Sequence, residues 1–133
     1  MSDPEKPIDI LIADDEPVNL TMLTQVLIQE GYDVRPALSG ELAIESVASK
    51  PPDLILLDIM MPPGMDGYEV CRHLKSRDAS KDIPIIFISA LNDHKDKVRA
   101  FQAGGQDFIS KPFQADDLLE RVRTQLRLRG IRQ

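Results

Sequence analysis

Residues 53–58 read DLILLD. Four consecutive apolar residues, Leu54 to Leu57, suit a strand buried on both faces, because a half-exposed strand would alternate apolar with polar positions. The run ends abruptly in a carboxylate, Asp58, and an acid beside a buried segment is costly unless it is paired, solvated or metal-bound. The rest of the chain should therefore supply two covering layers for the strand and a partner for the acid.

Four further runs read as strands: IDILIA (8–13), DVRPA (33–37), IPIIFIS (83–89) and DFIS (107–110). Pro36 inside the second predicts an edge position, since proline has no N–H to give to a neighbouring strand. Helical stretches separate the runs. The first carries Leu20, Leu23, Val26 and Leu27 at helical spacing behind Pro17, which suits a first turn. Ser39 is a good N-cap for the second. In the third, Asp66 and Glu69 make a carboxylate relative of the capping box ahead of an inner stripe of Val70, Cys71 and Leu74.

The fourth stretch runs from Asp93 to Ala103 and stops at Gly104 and Gly105. The fifth has Asp116 and Asp117 in its first turn, Leu118, Leu119, Val122 and Leu126 on one face, Arg127 and Arg129 near its end, and Gly130 as a stop. Strand and helix alternate five times. That order predicts a doubly wound α/β fold, a five-stranded parallel sheet with right-handed crossovers and helices on both faces.

The composition narrows the function. With 133 residues and 42% hydrophobic content, one domain with a proper core is expected. A net charge of −6 argues against direct nucleic-acid binding, which needs clustered Lys and Arg. A single cysteine, Cys71, excludes an internal disulfide, and with two scattered histidines there is no Cys/His zinc cluster. The start, MSDPEKP, lacks a basic n-region and an apolar h-region, and no apolar run approaches the roughly 20 residues of a membrane span. A soluble cytoplasmic protein without a membrane partner is the expectation.

In an open parallel sheet, ligands bind outside the carboxyl ends of the strands. Those ends carry Asp14 and Asp15 after the first strand, Asp58 after the third, Ser89 after the fourth and Lys111 after the fifth. Each has an ordinary alternative: a helix N-cap for Asp14 or Asp15, a turn residue for Ser89, a solvated charge for Lys111, a cap for Asp58. Taken together they point to a site, because three close carboxylates repel strongly and one lysine cannot neutralise them. A divalent cation is the natural complement. Oxygen ligands without His or Cys favour Mg²⁺, with Mn²⁺ or Ca²⁺ as alternatives, and Mg²⁺ keeps waters that a phosphate can replace. A carboxylate can then act as nucleophile toward phosphorus, forming an acyl phosphate.

The stretches ILIADDEP (10–17), LILLDIMMPPGMDGYEVCRHLK (54–75), PIIFISA (84–90) and AGGQDFISKPF (103–113) resemble, in order, the receiver domain of two-component response regulators. The resemblance covers Ile8 to Arg129. It leaves residues 1–7 as a flexible lead and residues 130–133 as a tail that could begin a linker to an output module. It implies the flavodoxin-like three-layer fold with strand order 2-1-3-4-5. It also implies Asp58 as phosphoacceptor, and Asp14, Asp15, Asp58 and the backbone carbonyl of Met60 as Mg²⁺ ligands, with Asp15 in the direct role. Ser89 and Lys111 would hold the phosphoryl group, Pro112 would follow a cis peptide bond, and Phe108 would be the switch aromatic that moves with Ser89. Met65, Tyr68, Cys71 and His73 are assigned to packing or surface.

The implied partner is a histidine kinase or a histidine phosphotransfer protein. The face of the fourth helix, fifth strand and fifth helix is a candidate for homodimerisation or output contacts. Met60 and Leu91 occupy positions that tune phosphoryl lifetime; both are apolar and would orient an attacking water poorly, so slow self-dephosphorylation is expected. One departure stands out: DIMMPPGMDG (58–67) is one residue longer than the family pattern, with Pro63 and Gly64 both placed before Met65.

Two other classes fit less well. A phosphatase of the haloacid dehalogenase type wants a general acid two residues after its nucleophile, where this chain has Met60. A flavodoxin-type flavin binder wants Ser, Thr and Gly in its first loop, where DDEPVN (14–19) would repel a phosphate.

Overall fold

Every apolar run becomes a strand and every intervening stretch a helix in the computed structural model, which describes residues 7–131. The elements are β1 (Asp9–Ala13), α1 (Pro17–Gln29), β2 (Asp33–Ala37), α2 (Gly40–Ser49), β3 (Leu54–Leu57), α3 (Gly67–Lys75), β4 (Ile85–Ser89), α4 (His94–Gln102), β5 (Asp107–Ser110) and α5 (Ala115–Leu128). The lead expected over residues 1–7 lies, apart from Pro7, outside the described residues. So does the expected C-terminal tail beyond Ile131.

The helix ends follow their local chemistry. Asp66 caps α3 and Asp93 caps α4, each accepting from the backbone N–H three residues on while the acid there, Glu69 or Asp96, accepts in return. Asp93 and Ala103 are thus the caps of α4 and not its first and last turns. Ser39 accepts the Leu42 N–H and caps α2. β4 is two residues shorter than expected at its start, where the Ile83 N–H turns back to the Ser80 carbonyl.

The five strands are parallel in the order β2-β1-β3-β4-β5, so β3 is central and β2, with its Pro36, lies at an edge. Alternate residues of each strand face opposite layers. Ile10, Ile12, Leu54, Leu56, Ile86 and Ile88 pack against Leu20, Leu23 and Leu27 of α1 and Leu118, Val122 and Leu126 of α5. Leu11, Ala13, Ile55, Leu57, Ile85 and Phe87 pack against Ala43 and Val47 of α2, Val70 and Leu74 of α3 and Ala100 of α4. This double burial is why the LILL run has no polar alternation.

Leu56 is fully enclosed in the layer shared with α1 and α5. Leu56→Ala should lower unfolding free energy by about 3 kcal/mol in urea titrations, whereas Met22→Ala, at an exposed position of α1, should change it by less than about 0.5 kcal/mol. Equal effects would contradict the two-layer core.

Candidate functional site: an acidic cluster at the carboxyl edge of the sheet

The backbone sets the positions before any side chain contributes. The Asp58 N–H donates to the Ala13 carbonyl (2.9 Å), the Asp14 N–H to the Ala37 carbonyl (3.0 Å), and the Lys111 N–H to the Ser89 carbonyl (2.9 Å). Each site residue is thus the first beyond its strand, still tied to the neighbouring strand's end. The strands are fixed by two packed layers, so these residues inherit their rigidity.

On this edge the Lys111 ammonium stands 2.9 Å from Asp14 Oδ2 and 3.4 Å from Asp58 Oδ2. The other oxygens are also engaged: Asp14 Oδ1 accepts the Glu16 N–H (3.0 Å) and Asp58 Oδ1 accepts the Ile59 N–H (2.8 Å). Asp14 is fully buried and Asp58 is 5% exposed. Asp15 is half-buried, and one carboxylate oxygen from each of Asp14, Asp15 and Asp58 lies within 4.8 Å of the others. The N-cap of α1 is Glu16, so neither Asp14 nor Asp15 takes the ordinary capping role. Lys111, with its side chain 16% exposed, is no solvated surface charge.

Burial pushes the Asp58 carboxyl up to about 6; the Lys111 charge opposes this and the Asp14 charge adds to it. Burial also works against the Lys111 ammonium, but its hydrogen bond to Asp14 and the charges of Asp58 and Asp14 outweigh that and raise its pKa. One ammonium therefore leaves the cluster under-neutralised. The donor set is all oxygen, has an excess of negative charge and sits at a rigid strand edge. It fits a hard divalent cation, which takes carboxylates and carbonyls and needs no His or Cys.

Ser89 is buried at the end of β4, on the same edge, and its hydroxyl accepts the Leu91 N–H (3.1 Å). Met60, two residues past Asp58, turns its side chain to solvent. Phe108 is buried in the layer of α2, α3 and α4, with the Lys97 ammonium 5.9 Å from its ring centre. The Lys111–Pro112 peptide bond is cis, and so is Pro62–Pro63, a second cis bond beyond the one expected at Pro112.

Three residues near the site make contacts that no local sequence pattern predicts. Tyr68 is buried, its hydroxyl donates to the Asp96 carbonyl (3.1 Å), and the Arg99 guanidinium lies 4.2 Å from its ring centre, so α3 is clasped to α4. Gly67 donates its N–H to the Ile59 carbonyl (2.7 Å), and a Cβ there would stand 2.8 Å from Ile59 Cα and press on the Asp58 carbonyl. Only glycine permits that approach, and the turn pair Asp66–Gly67 was its one sequence signal. Glu41 of α2 reaches the loop after Asp58.

Because its folded pKa is raised, Asp58 holds a proton more tightly in the folded chain than in the unfolded one, where 3.8 is usual. Its contribution to stability is full below pH 4 and is lost as pH rises through about 6. In chelator-treated protein, Asp58→Asn should thus be more stable than the parent by about 3 kcal/mol at pH 8, with the difference vanishing near pH 4. A gain of equal size at both pH values in urea titrations would contradict the buried-charge account.

Comparison with known proteins agrees with this geometry. The family model for the response regulator receiver domain matches residues 10–123. The chain is 40% identical over 122 residues to the response regulator PleD of Caulobacter vibrioides, covering 92% of this chain and 27% of PleD. It is 42% identical over 118 residues to the DNA-binding response regulator MtrA of Mycobacterium tuberculosis, covering 89% of this chain and 50% of MtrA. The chain therefore spans only a quarter to a half of these curated relatives. Among solved structures, the signal receiver domain of a signal transduction histidine kinase from Syntrophus aciditrophicus superposes with a TM-score of 0.82 at 36% identity, covering 89% of each chain. A doubly wound sheet in the order 2-1-3-4-5, an acidic cluster at its carboxyl edge and a family match along most of its length make this chain a member of the response regulator receiver domain family of two-component systems.

Proposed function

We propose that Asp58 is the phosphoacceptor of this receiver domain and that its donor is a phosphohistidine on a histidine kinase or phosphotransfer protein. The observation that carries the reading is the under-neutralised cluster of Asp14, Asp15 and Asp58, with Lys111 bonded to two of its members. With a pKa of about 6, Asp58 is mostly ionised at neutral pH and available as a nucleophile. An Asp58 oxygen attacks phosphorus. The P–N bond breaks with its electron pair returning to the ring nitrogen, and a donor ring protonated on its other nitrogen leaves as neutral imidazole.

Phosphoryl transfer depends chiefly on positioning and charge neutralisation. Lys111 bonds a phosphoryl oxygen, and the Ser89 hydroxyl turns from the Leu91 N–H to meet another. Asp15, Asp14, Asp58 and the Met60 carbonyl would hold Mg²⁺, or Mn²⁺ in its place, with Asp15 in the direct role. Such a cation, when bound there, would supply charge neutralisation for the transferring group. Movement of Ser89 frees space toward which Phe108 adjusts, so that the face of α4, β5 and α5 changes. Val98 and Phe101 of α4 are exposed there, and that face is the proposed contact for a second copy or an output partner.

No helix among the described residues is long and apolar enough to cross a membrane, and the acidic balance disfavours direct nucleic-acid binding. Both fit a cytoplasmic signalling module that regulates a partner or an output region. Self-dephosphorylation is slow in this reading, since exposed Met60 and Leu91 flank the site with apolar side chains that do not orient water.

Treatment with acetyl phosphate and Mg²⁺ should give a hydroxylamine-labile acyl phosphate, detected by mass, and Asp58→Asn should abolish it; label retained at that site in the variant would overturn the assignment. Isolated phosphorylated protein should keep its label for many minutes. Decay within seconds would refute the role given to Met60 and Leu91.

A further inference from the structure

The connection from β3 to α3 is a residue longer than the family pattern, and a side chain of α2 takes up the slack. Met65 donates its N–H to both carboxylate oxygens of Glu41, at 3.2 and 3.4 Å, across 24 residues of sequence. Glu41 lies in the first turn of α2, behind the Ser39 cap, so the backbone that bears it is fixed. Gly64 lies against the same carboxylate: a Cβ there would stand 2.6 Å from Oε1 and would also overlap Oε2. The space that Glu41 fills exists because residue 64 has no side chain.

The start of α2 is also pressed close to the loop. A Cβ on Gly40 would meet the Met65 carbonyl at 3.1 Å. At the loop's other end the Gly67 N–H holds the Ile59 carbonyl at 2.7 Å, directly after Asp58. The segment from Met60 to Gly64 is therefore suspended between two fixed points, one supplied by the strand and one by Glu41. Glu41 is exposed, so the contact adds little to folding. The two contacts are long, but a backbone N–H shared between both oxygens of an ionised carboxylate still biases the loop among its conformations.

We propose that Glu41 is a positioning residue for phosphoryl transfer to Asp58: its carboxylate anchors the lengthened loop at Met65, and Gly64 makes the room for it. The proposal rests on the phosphoacceptor reading of Asp58. Glu41 touches no reacting atom. It acts through the backbone of residues 60–65, keeping that segment from closing over the acceptor and holding Met60 beside it.

The test compares labelling rates with acetyl phosphate and Mg²⁺, in which the donor's P–O bond breaks, a P–O bond to Asp58 forms and acetate leaves. The Met65 amide hydrogen exchange is followed by NMR in the same proteins. Gly64→Ala is the informative variant, because the three atoms nearest its added Cβ all belong to the far end of the flexible Glu41 side chain; the fold accepts it while Glu41 is displaced. Glu41→Ala and Gly64→Ala should each slow labelling on the order of tenfold, with unchanged thermal midpoints and faster Met65 exchange. Glu41→Gln, whose amide oxygen accepts the same N–H, should stay within about twofold of the parent.

Parental labelling rates in both Glu41→Ala and Gly64→Ala would overturn the proposal, and so would a Glu41→Gln variant as slow as Glu41→Ala. A parent that takes no label fails the acceptor reading by itself. The Met65 exchange then decides the anchor, and exchange unchanged in Glu41→Ala refutes it.

Discussion

The Lys111 ammonium lies between two buried carboxylates, 2.9 Å from Asp14 and 3.4 Å from Asp58, and the site depends on that arrangement. One positive charge faces two negative ones in a place with little water, and Asp15 adds a third carboxylate beside them. Like charges this close are strongly unfavourable, and a fold keeps them only where another term compensates. The hydrophobic layers on both faces of the sheet are that compensation: they set the strand ends, and the strand ends set the charges.

The rigidity comes from backbone bonds as much as from packing. Asp58, Asp14 and Lys111 each sit one step past a strand and are still bonded to the next strand's last carbonyl. A side chain held in this way cannot relax away from its neighbours. Electrostatic stress accumulates on Asp58, whose carboxyl is raised to about 6. A group poised near neutral pH by burial and a neighbouring charge is characteristic of sites that do chemistry.

Around this fixed edge the connecting segments are tied down by single polar contacts. The Tyr68 hydroxyl on the Asp96 carbonyl, with Arg99 against the Tyr68 ring, holds α4 to α3. Glu41 on the Met65 N–H holds the loop after Asp58 to α2. Such contacts are few and partly solvated, so these segments are where the molecule can change shape while the strands stay put.

The sequence by itself determined the alternation of strands and helices, because burial on both faces writes an unbroken apolar run such as LILL and helical spacing writes Leu20, Leu23 and Leu27. It also determined which residues meet the carboxyl edge, since a parallel sheet sends every strand end to one side: Asp14, Asp15, Asp58, Ser89 and Lys111 were all legible in that way. Their pairing was not. Lys111 reaches Asp14 across 97 residues and Asp58 across 53, and no local pattern encodes such distances. Tyr68 reads as packing or surface, and Gly67 carries no reading of its own, because their partners, Asp96 and the Asp58 carbonyl, come near only after the layers close. Glu41, in the first turn of α2, is silent in the sequence for the same reason. Periodicity is local and survives in one dimension, whereas a contact between a side chain and a distant backbone group exists only once the tertiary structure has brought the two together.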